Sequence, residues 1–111
     1  MPLLKPVFKA KLQMEFVEYT PPETVGDDQI LVKNRLSMIS PGTELAIFTA
    51  KHIDMENPKN KWAKYPFFPG YSEVGEAVKV GKNVTKIKVG QTVYHWQSHA
   101  LYSTVAETEA V

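Results

Sequence analysis

A chain of 111 residues, 43% hydrophobic and 23% charged, is sized for one globular domain around one core. Its 13 Lys+Arg against 12 Asp+Glu leave a net charge of +1, too weak a field to draw in nucleic acid or an anionic membrane surface. The absence of cysteine removes disulfides, thiolate zinc sites and thiol nucleophiles together, so that His52, His95 and His99 are the soft-metal ligands left. The apolar runs, such as that around Ala46-Ile47-Phe48, are too short to cross a bilayer. The start Met1-Pro2-Leu3-Leu4-Lys5-Pro6 has no signal-peptide core, and a cytoplasmic location with no membrane partner is expected.

Residues 7–19 alternate unevenly, with Val7, Leu12, Met14, Phe16 and Tyr19 as apolar positions. They predict one long or two short strands stopped by Pro21-Pro22. Residues 29–39 are rich in β-formers, and Ile30, Val32, Leu36 and Met38 are expected to share one face of a central strand. Pro41-Gly42 ends it. Thr43 is the expected N-cap, with Glu44 in the first turn of a short helix through Leu45-Ala46-Ile47-Phe48. Residues 51–64 carry four lysines among carboxylates, with Pro58 and two asparagines, and predict an exposed, mobile loop.

From Ser72 onward, Val74, Val78 and Val80 are expected on one side of a strand that turns at Gly81-Lys82-Asn83. Further strands are predicted near residues 92–95 and 100–106. Many short strands and one or two short helices predict a mainly β fold, a partly open β-barrel. Gly81 and Gly90 stand where a turn calls for a positive φ, and Gly75 suggests a bulge or a close backbone approach. They read as framework, because no G-x-G-x-x-G cluster is present to cradle a pyrophosphate.

Three blocks in order, Pro69-Gly70-Tyr71-Ser72-Glu73-Val74-Gly75-Glu76, Val80-Gly81-Lys82-Asn83-Val84 and Lys88-Val89-Gly90-Gln91-Thr92-Val93, resemble the amino-terminal GroES-like catalytic domain of medium-chain dehydrogenases and reductases. The earlier Ile39-Ser40-Pro41-Gly42-Thr43-Glu44-Leu45 resembles the segment that reads Cys-Gly-(Ser/Thr)-Asp in zinc-dependent members. The resemblance covers nearly the whole chain, residues 1–111, and implies a GroES-like domain whose Rossmann partner is absent from this chain. It implies, further, that the chain is a fragment or a truncated reading frame of a parent that binds NAD(P) and acts on a small carbonyl or alcohol substrate. The Ser-Pro-Gly-Thr-Glu and Pro-Gly-Tyr-Ser segments are similar to a zinc-lacking branch that includes bacteriochlorophyllide dehydrogenase-like proteins.

In this register Pro41 stands at the ligating cysteine, Tyr71 at the ligating histidine and Ser72 at the following glutamate, so neither a catalytic nor a structural zinc is expected. The pair His95-x-x-x-His99 sits where a strand runs into a turn, not on a helix, and both histidines, like His52, read as turn or surface residues. Hydride chemistry without zinc needs a donor for the developing oxyanion. Thr43 matches the Ser/Thr that begins a proton relay in the resembling family, and its place before the helix suits an N-cap equally. Tyr71 offers a phenol, set against packing with Tyr65, Phe67 and Phe68. Ser40, Glu44 and Ser72 are candidate substrate-contacting or supporting residues, Glu44 also complementing the helix dipole. The relay histidine of the family falls at Ala46. Trp62 and the phenylalanines either line a cleft or pack under the lysine-bearing loop.

The expected function is therefore the substrate-facing half of a zinc-independent NAD(P)-dependent oxidoreductase, inactive by itself and binding no cofactor tightly alone. The rivals are a non-enzymatic GroES-like binding module and a domain that oligomerises through an uncovered face.

Overall fold

The structure, a computed structural model, describes residues 3–111. Among them, strands β1 (Leu3–Ala10) and β2 (Gln13–Tyr19) form an antiparallel hairpin. β3 (Gln29–Ser37), β4 (Glu73–Val80), β5 (Thr92–His95) and β6 (Tyr102–Ala106) form a four-stranded antiparallel sheet in the order β5-β4-β3-β6. One helix, α1 (Pro41–Phe48), and two single turns of 3₁₀-helix complete the chain. The described strands do not close into a barrel; they make an open, mainly β arrangement of the GroES-like kind expected. No helix among the described residues is long and apolar enough to cross a membrane.

Two apolar clusters hold these layers. Ile30, Val32, Ala77, Ile87, Val93 and Val105 form the core of the four-stranded sheet. Phe8, Ile47 and Ala63, with Phe48, Met55, Tyr65 and Phe67 against them, join hairpin, helix and the 51–64 segment. Phe8 is the hairpin's anchor: its N–H donates to the Phe67 carbonyl at 2.7 Å, and the Phe67 N–H returns the bond at 2.9 Å. Leu12, Met14 and Phe16, three of the apolar positions of this segment, are exposed.

Two bulges correct the expected faces. On β4, Leu31 pairs with Lys79 and Val32 with Ala77, so Val78 is an extra residue and the inward parity reverses across it. Glu73, Gly75 and Ala77 are consequently the buried face before the bulge; Val74 and Val78 lie off it, while Val80, beyond the bulge, packs against the core, so the three valines do not share one side. On β3, Asn34 pairs with Gly75 and Leu36 with Val74, leaving Arg35 extra. Beyond Arg35 the expected inward residues turn out, Leu36 being 72% and Met38 56% exposed, and Ser37 takes the inward side. A one-residue insertion does this because strand side chains alternate with a period of two.

Helix α1 starts one turn earlier than expected. Ser40, not Thr43, is its N-cap, and Pro41 occupies the first turn, where its missing N–H costs no hydrogen bond. Thr43 lies inside the helix. The Ser40 side chain makes no capping bond; its backbone N–H donates instead to the Glu44 carboxylate in a very short contact. The 51–64 segment is exposed for most of its length, as expected, yet internally tied: Asn60 Oδ1 accepts from the N–H groups of Trp62 and Ala63, its Nδ2 donates to the Ala63 carbonyl, and Ala63 is fully buried.

Gly75 has no room for a side chain. A Cβ there would lie 2.7 Å from both Asn34 Cα and Val32 Cγ1. Gly75→Ala is therefore expected to separate β3 from β4 locally and to cost about 1–3 kcal/mol, measured as a lower urea midpoint at unchanged m-value.

Candidate active-site cleft

Four elements bring polar side chains to one place. β3 supplies Asn34 and Ser37, β4 begins with Glu73, β5 ends with His95, the following loop carries His99, and α1 presents Glu44. Asn34 organises the far side. Its Nδ2 donates to the Ala100 carbonyl at 2.8 Å and to Ser103 Oγ at 2.9 Å, while its Oδ1 accepts from His95 Nε2 at 2.7 Å. The Gln97 N–H donates to His95 Nδ1 at 3.2 Å, so both imidazole nitrogens are matched by a neutral ring protonated at Nε2. Burial of the ring pushes its pKa down, in agreement with that assignment.

His99 occupies the near side. Its Nε2 donates to Glu44 Oε1 at 2.5 Å, and its Nδ1 makes a very short hydrogen bond with Ser37 Oγ. The Ser37 hydroxyl also lies 3.2 Å from Glu73 Oε1. Gly70 lets the imidazole sit there: its φ is +109°, and a Cβ would approach His99 Cγ and Nδ1 to 2.8 Å. The His99 N–H donates to the Pro69 carbonyl at 2.8 Å, completing the seat.

Glu73 is almost wholly removed from solvent, and its Oε2 has no hydrogen-bond partner. That oxygen faces His95 Nδ1 at 3.7 Å, a nitrogen whose lone pair already accepts from Gln97. Desolvation, opposed by the Ser37 hydrogen bond and by the charge of His99 and reinforced by the nearby Glu44, pushes the Glu73 pKa up to about 7.

Above this polar floor opens a cleft of about 620 Å³. The hairpin contributes Phe8, Met14 and Phe16 to its walls and the helix Leu45 and Phe48, while Ser37, Glu44 and His99 supply the polar groups at its base. An apolar chamber with a few convergent polar groups is the usual form of a small-molecule site. A smaller hollow of about 250 Å³, lined by Asn34, Arg35 and Leu36 among others, lies against the same Ser37 and His99.

Of the candidate substrate and catalytic residues Ser40, Thr43, Glu44, Tyr71 and Ser72, Glu44 lines the large cleft and the others do not; Pro41 and His99 line it too. Thr43 is half-buried within α1, and Ser40 acts through its backbone. Tyr71 is 42% exposed, and Ser72 Oγ donates to Tyr94 Oη at 3.3 Å near the surface. Of the aromatics expected to pack with Tyr71, Phe67 lies 6.1 Å from the Phe8 ring instead, the Tyr65 hydroxyl donates to the Ile47 carbonyl, and Phe68 is exposed. Sequence reasoning missed Ser37, Glu73 and Asn34, and it misread His95 and His99: the first is fully buried, the second mostly so. The available signal was Glu73 itself, a carboxyl on the same alternating face as Gly75 and Ala77.

Residues 26–110 match the alcohol dehydrogenase GroES-like domain family. Cinnamyl alcohol dehydrogenase 3 of Arabidopsis thaliana is 52% identical over 44 residues, which is 38% of this chain and 12% of that protein. Probable cinnamyl alcohol dehydrogenase 5 of Oryza sativa subsp. japonica is 35% identical over 72 residues, 63% of this chain and 17% of that one. Among solved structures, an alcohol dehydrogenase superfamily protein from Novosphingobium aromaticivorans superposes with a TM-score of 0.76 at 19% identity, covering 98% of this chain and 33% of its own. Quinone oxidoreductase of Escherichia coli, solved with NADPH, gives 0.65 at 20% identity, covering 99% and 32%. These identities speak to the fold, and the chain spans about a third of the solved chains and less of the curated relatives.

Glu73 makes stability depend on pH. With its pKa raised from 4.5 to about 7 in the folded state, the folded protein holds a proton that the unfolded chain releases in this interval. Its contribution is therefore full below pH 4.5 and is lost as pH rises through 7, a loss on the order of 3 kcal/mol. His95, with its pKa lowered, acts oppositely and destabilises the fold as pH falls below the unfolded value of 6.5. The difference between wild type and Glu73→Gln isolates the carboxyl. Urea unfolding between pH 4 and 8 is expected to show Glu73→Gln gaining on wild type as pH rises, and a constant difference would contradict the assignment.

Proposed function

The chain belongs to the alcohol dehydrogenase GroES-like domain family, and from that premise we propose that it forms the substrate-facing half of an NAD(P)-dependent oxidoreductase that works without zinc. The observation that carries this reading is the apolar cleft with Ser37, Glu44 and His99 at its floor. A small carbonyl or alcohol substrate needs its hydrocarbon part desolvated and its one oxygen held, and this chamber offers apolar walls with polar groups at one end.

The donor set argues against zinc at the family position. Pro41 has no side-chain donor, and the phenol of Tyr71 is half exposed where an imidazole would be required. Among the described residues, no three His, Asp or Glu side chains are grouped as a metal site. The nicotinamide, held by a nucleotide-binding domain, would supply or accept the hydride; this chain has no glycine-rich phosphate cradle of its own. Its residues bind the substrate, exclude water through the hairpin and helix side chains, and present Ser37, Glu44 and His99 as the polar groups that meet its oxygen. In this reading Thr43, Tyr71, Ser40 and Ser72 belong to the margin that meets the nucleotide-binding half. A second reading, self-association, is favoured by the exposed apolar residues Leu36, Met38, Ile39 and Leu45 beside the cleft.

The test uses the parent protein, with this chain joined to its nucleotide-binding domain. It is expected to bind NADPH or NADH and to reduce an aldehyde at a rate that dialysis against a chelator leaves unchanged. Failure to bind either cofactor sinks the oxidoreductase reading; activity lost on chelation and restored by zinc sinks the metal-free one. The 111-residue chain with added NAD(P)H is expected to turn nothing over, and a concentration-dependent dimer in sizing runs would favour self-association.

A further inference from the structure

Ser37 is poised between two groups that cannot both be satisfied in the same way. It has one proton to donate, yet its oxygen contacts Glu73 Oε1 on one side and His99 Nδ1 on the other. If Glu73 is protonated, it donates to Ser37, and Ser37 donates to the lone pair of His99 Nδ1. If His99 is protonated at Nδ1, the direction reverses: His99 donates to Ser37, and Ser37 donates to the Glu73 carboxylate. Both arrangements satisfy both contacts and contain the same number of protons. With neither neighbour protonated, one of the two contacts has no hydrogen to bridge it; with both, Ser37 accepts from each and its own O–H is free to turn toward the cleft.

We propose that Glu73, Ser37 and His99 form a proton relay whose central hydroxyl opens into the cleft and exchanges a proton with the oxygen of a bound substrate. The relay rests on the reading of the cleft as an oxidoreductase site only for its purpose. In the reducing direction a reduced nicotinamide would supply the hydride for the new C–H bond, and this chain would supply the proton for the substrate oxygen as the C=O π pair moves onto it. The Ser37 O–H bond then breaks toward that oxygen, and a proton from Glu73 Oε1 or His99 Nδ1 replaces it. The product is the alcohol, and the relay is left one proton short.

The surroundings suit the task. Ser37 and His99 line the cleft, whereas Glu73 does not, so the store lies behind the donor. Glu44, from α1, positions His99 by accepting from Nε2 at 2.5 Å, which leaves Nδ1 to face Ser37. His95, from β5, sets its Nδ1 3.7 Å from Glu73 Oε2 and is itself anchored by Asn34 of β3. The raised pKa of Glu73 keeps its proton available near neutrality.

The relay is tested on the chain as it stands, without cofactor or substrate, by following Glu73 ¹³Cδ and His99 ¹⁵Nδ1 through a pH titration. Groups that share a proton titrate as a pair, so both nuclei are expected to show the same inflections. Ser37→Ala is expected to abolish the shared inflections and leave each nucleus with its own single step; Ser37→Thr, which keeps the hydroxyl, is expected to restore them. Separate inflections in the wild type overturn the relay without recourse to any variant. Shared inflections that survive in Ser37→Ala also overturn it, because they would report coupling through space alone. Since no turnover is measured, the relay can fail while the oxidoreductase reading stands, and the reverse.

Discussion

The amide of Asn34 is the contact on which the cleft floor depends. It sits on the inward face of the central strand, where an aliphatic residue would continue the core, and spends its hydrogen-bonding capacity on the stretch from His95 at the end of β5, through Ala100 in the connecting loop, to Ser103 in β6. Its backbone N–H also donates to the Leu101 carbonyl at 2.6 Å. Four bonds from one residue thus fix the loop that delivers His99, and a loop with so many polar groups needs such partners to be buried at all. The core below Asn34 is apolar and tight; above it the strand bulges at Arg35 and the chemistry begins. The boundary between scaffold and site is one side chain wide.

Much of the framework was legible in the sequence. Pro21-Pro22, Pro41-Gly42 and Gly81-Lys82-Asn83 mark element ends because proline and glycine act locally, whatever the rest of the chain does. The faces of β3 and β4 were not legible beyond Arg35 and Val78, since a bulge is decided by the partner strand and leaves no mark on alternation within one strand. Thr43 looked like the cap because it precedes an acidic residue and an apolar run; the helix instead begins at Pro41, and Glu44 reaches back to the Ser40 N–H. His95 and His99 were read from their immediate neighbours, but what gives them meaning lies 61 and 55 residues away, at Asn34 and Glu44. Long-range pairing of polar groups has no periodic signature, and here it made the site.

The burial of Glu73 deserves weighing against the two apolar clusters. A carboxyl with an unpartnered oxygen in a sheet interior is a cost, set on β4 against the close packing of Gly75 and the full burial of Ala77 on the same face. Apolar packing and buried polar groups are thus segregated along one strand, with Ala77 and Val80 in the core and Glu73 among the polar groups at its near end. The same division holds on β3. Strands that cross from core to cleft let a rigid sheet set the distances among groups whose hydrogen bonds would tolerate little drift.

The hairpin that roofs the cleft is held at three points. Phe8 exchanges two backbone bonds with Phe67, the Leu12 N–H at the turn donates to the Phe48 carbonyl at 2.8 Å, and Tyr19 Oη at the far end accepts from the N–H groups of Leu101 and Tyr102 at 2.9 and 3.1 Å. A beam clamped at its root, its tip and its return cannot swing about a single pivot. Any adjustment to the outline of a guest must then come from the unclamped side chains between those points, Met14 and Phe16. A thioether and a ring re-orient by rotamer hops in picoseconds to nanoseconds, far faster than a moving lid. The chamber accordingly behaves as a fixed room with soft furnishings, forgiving of contour and strict about length.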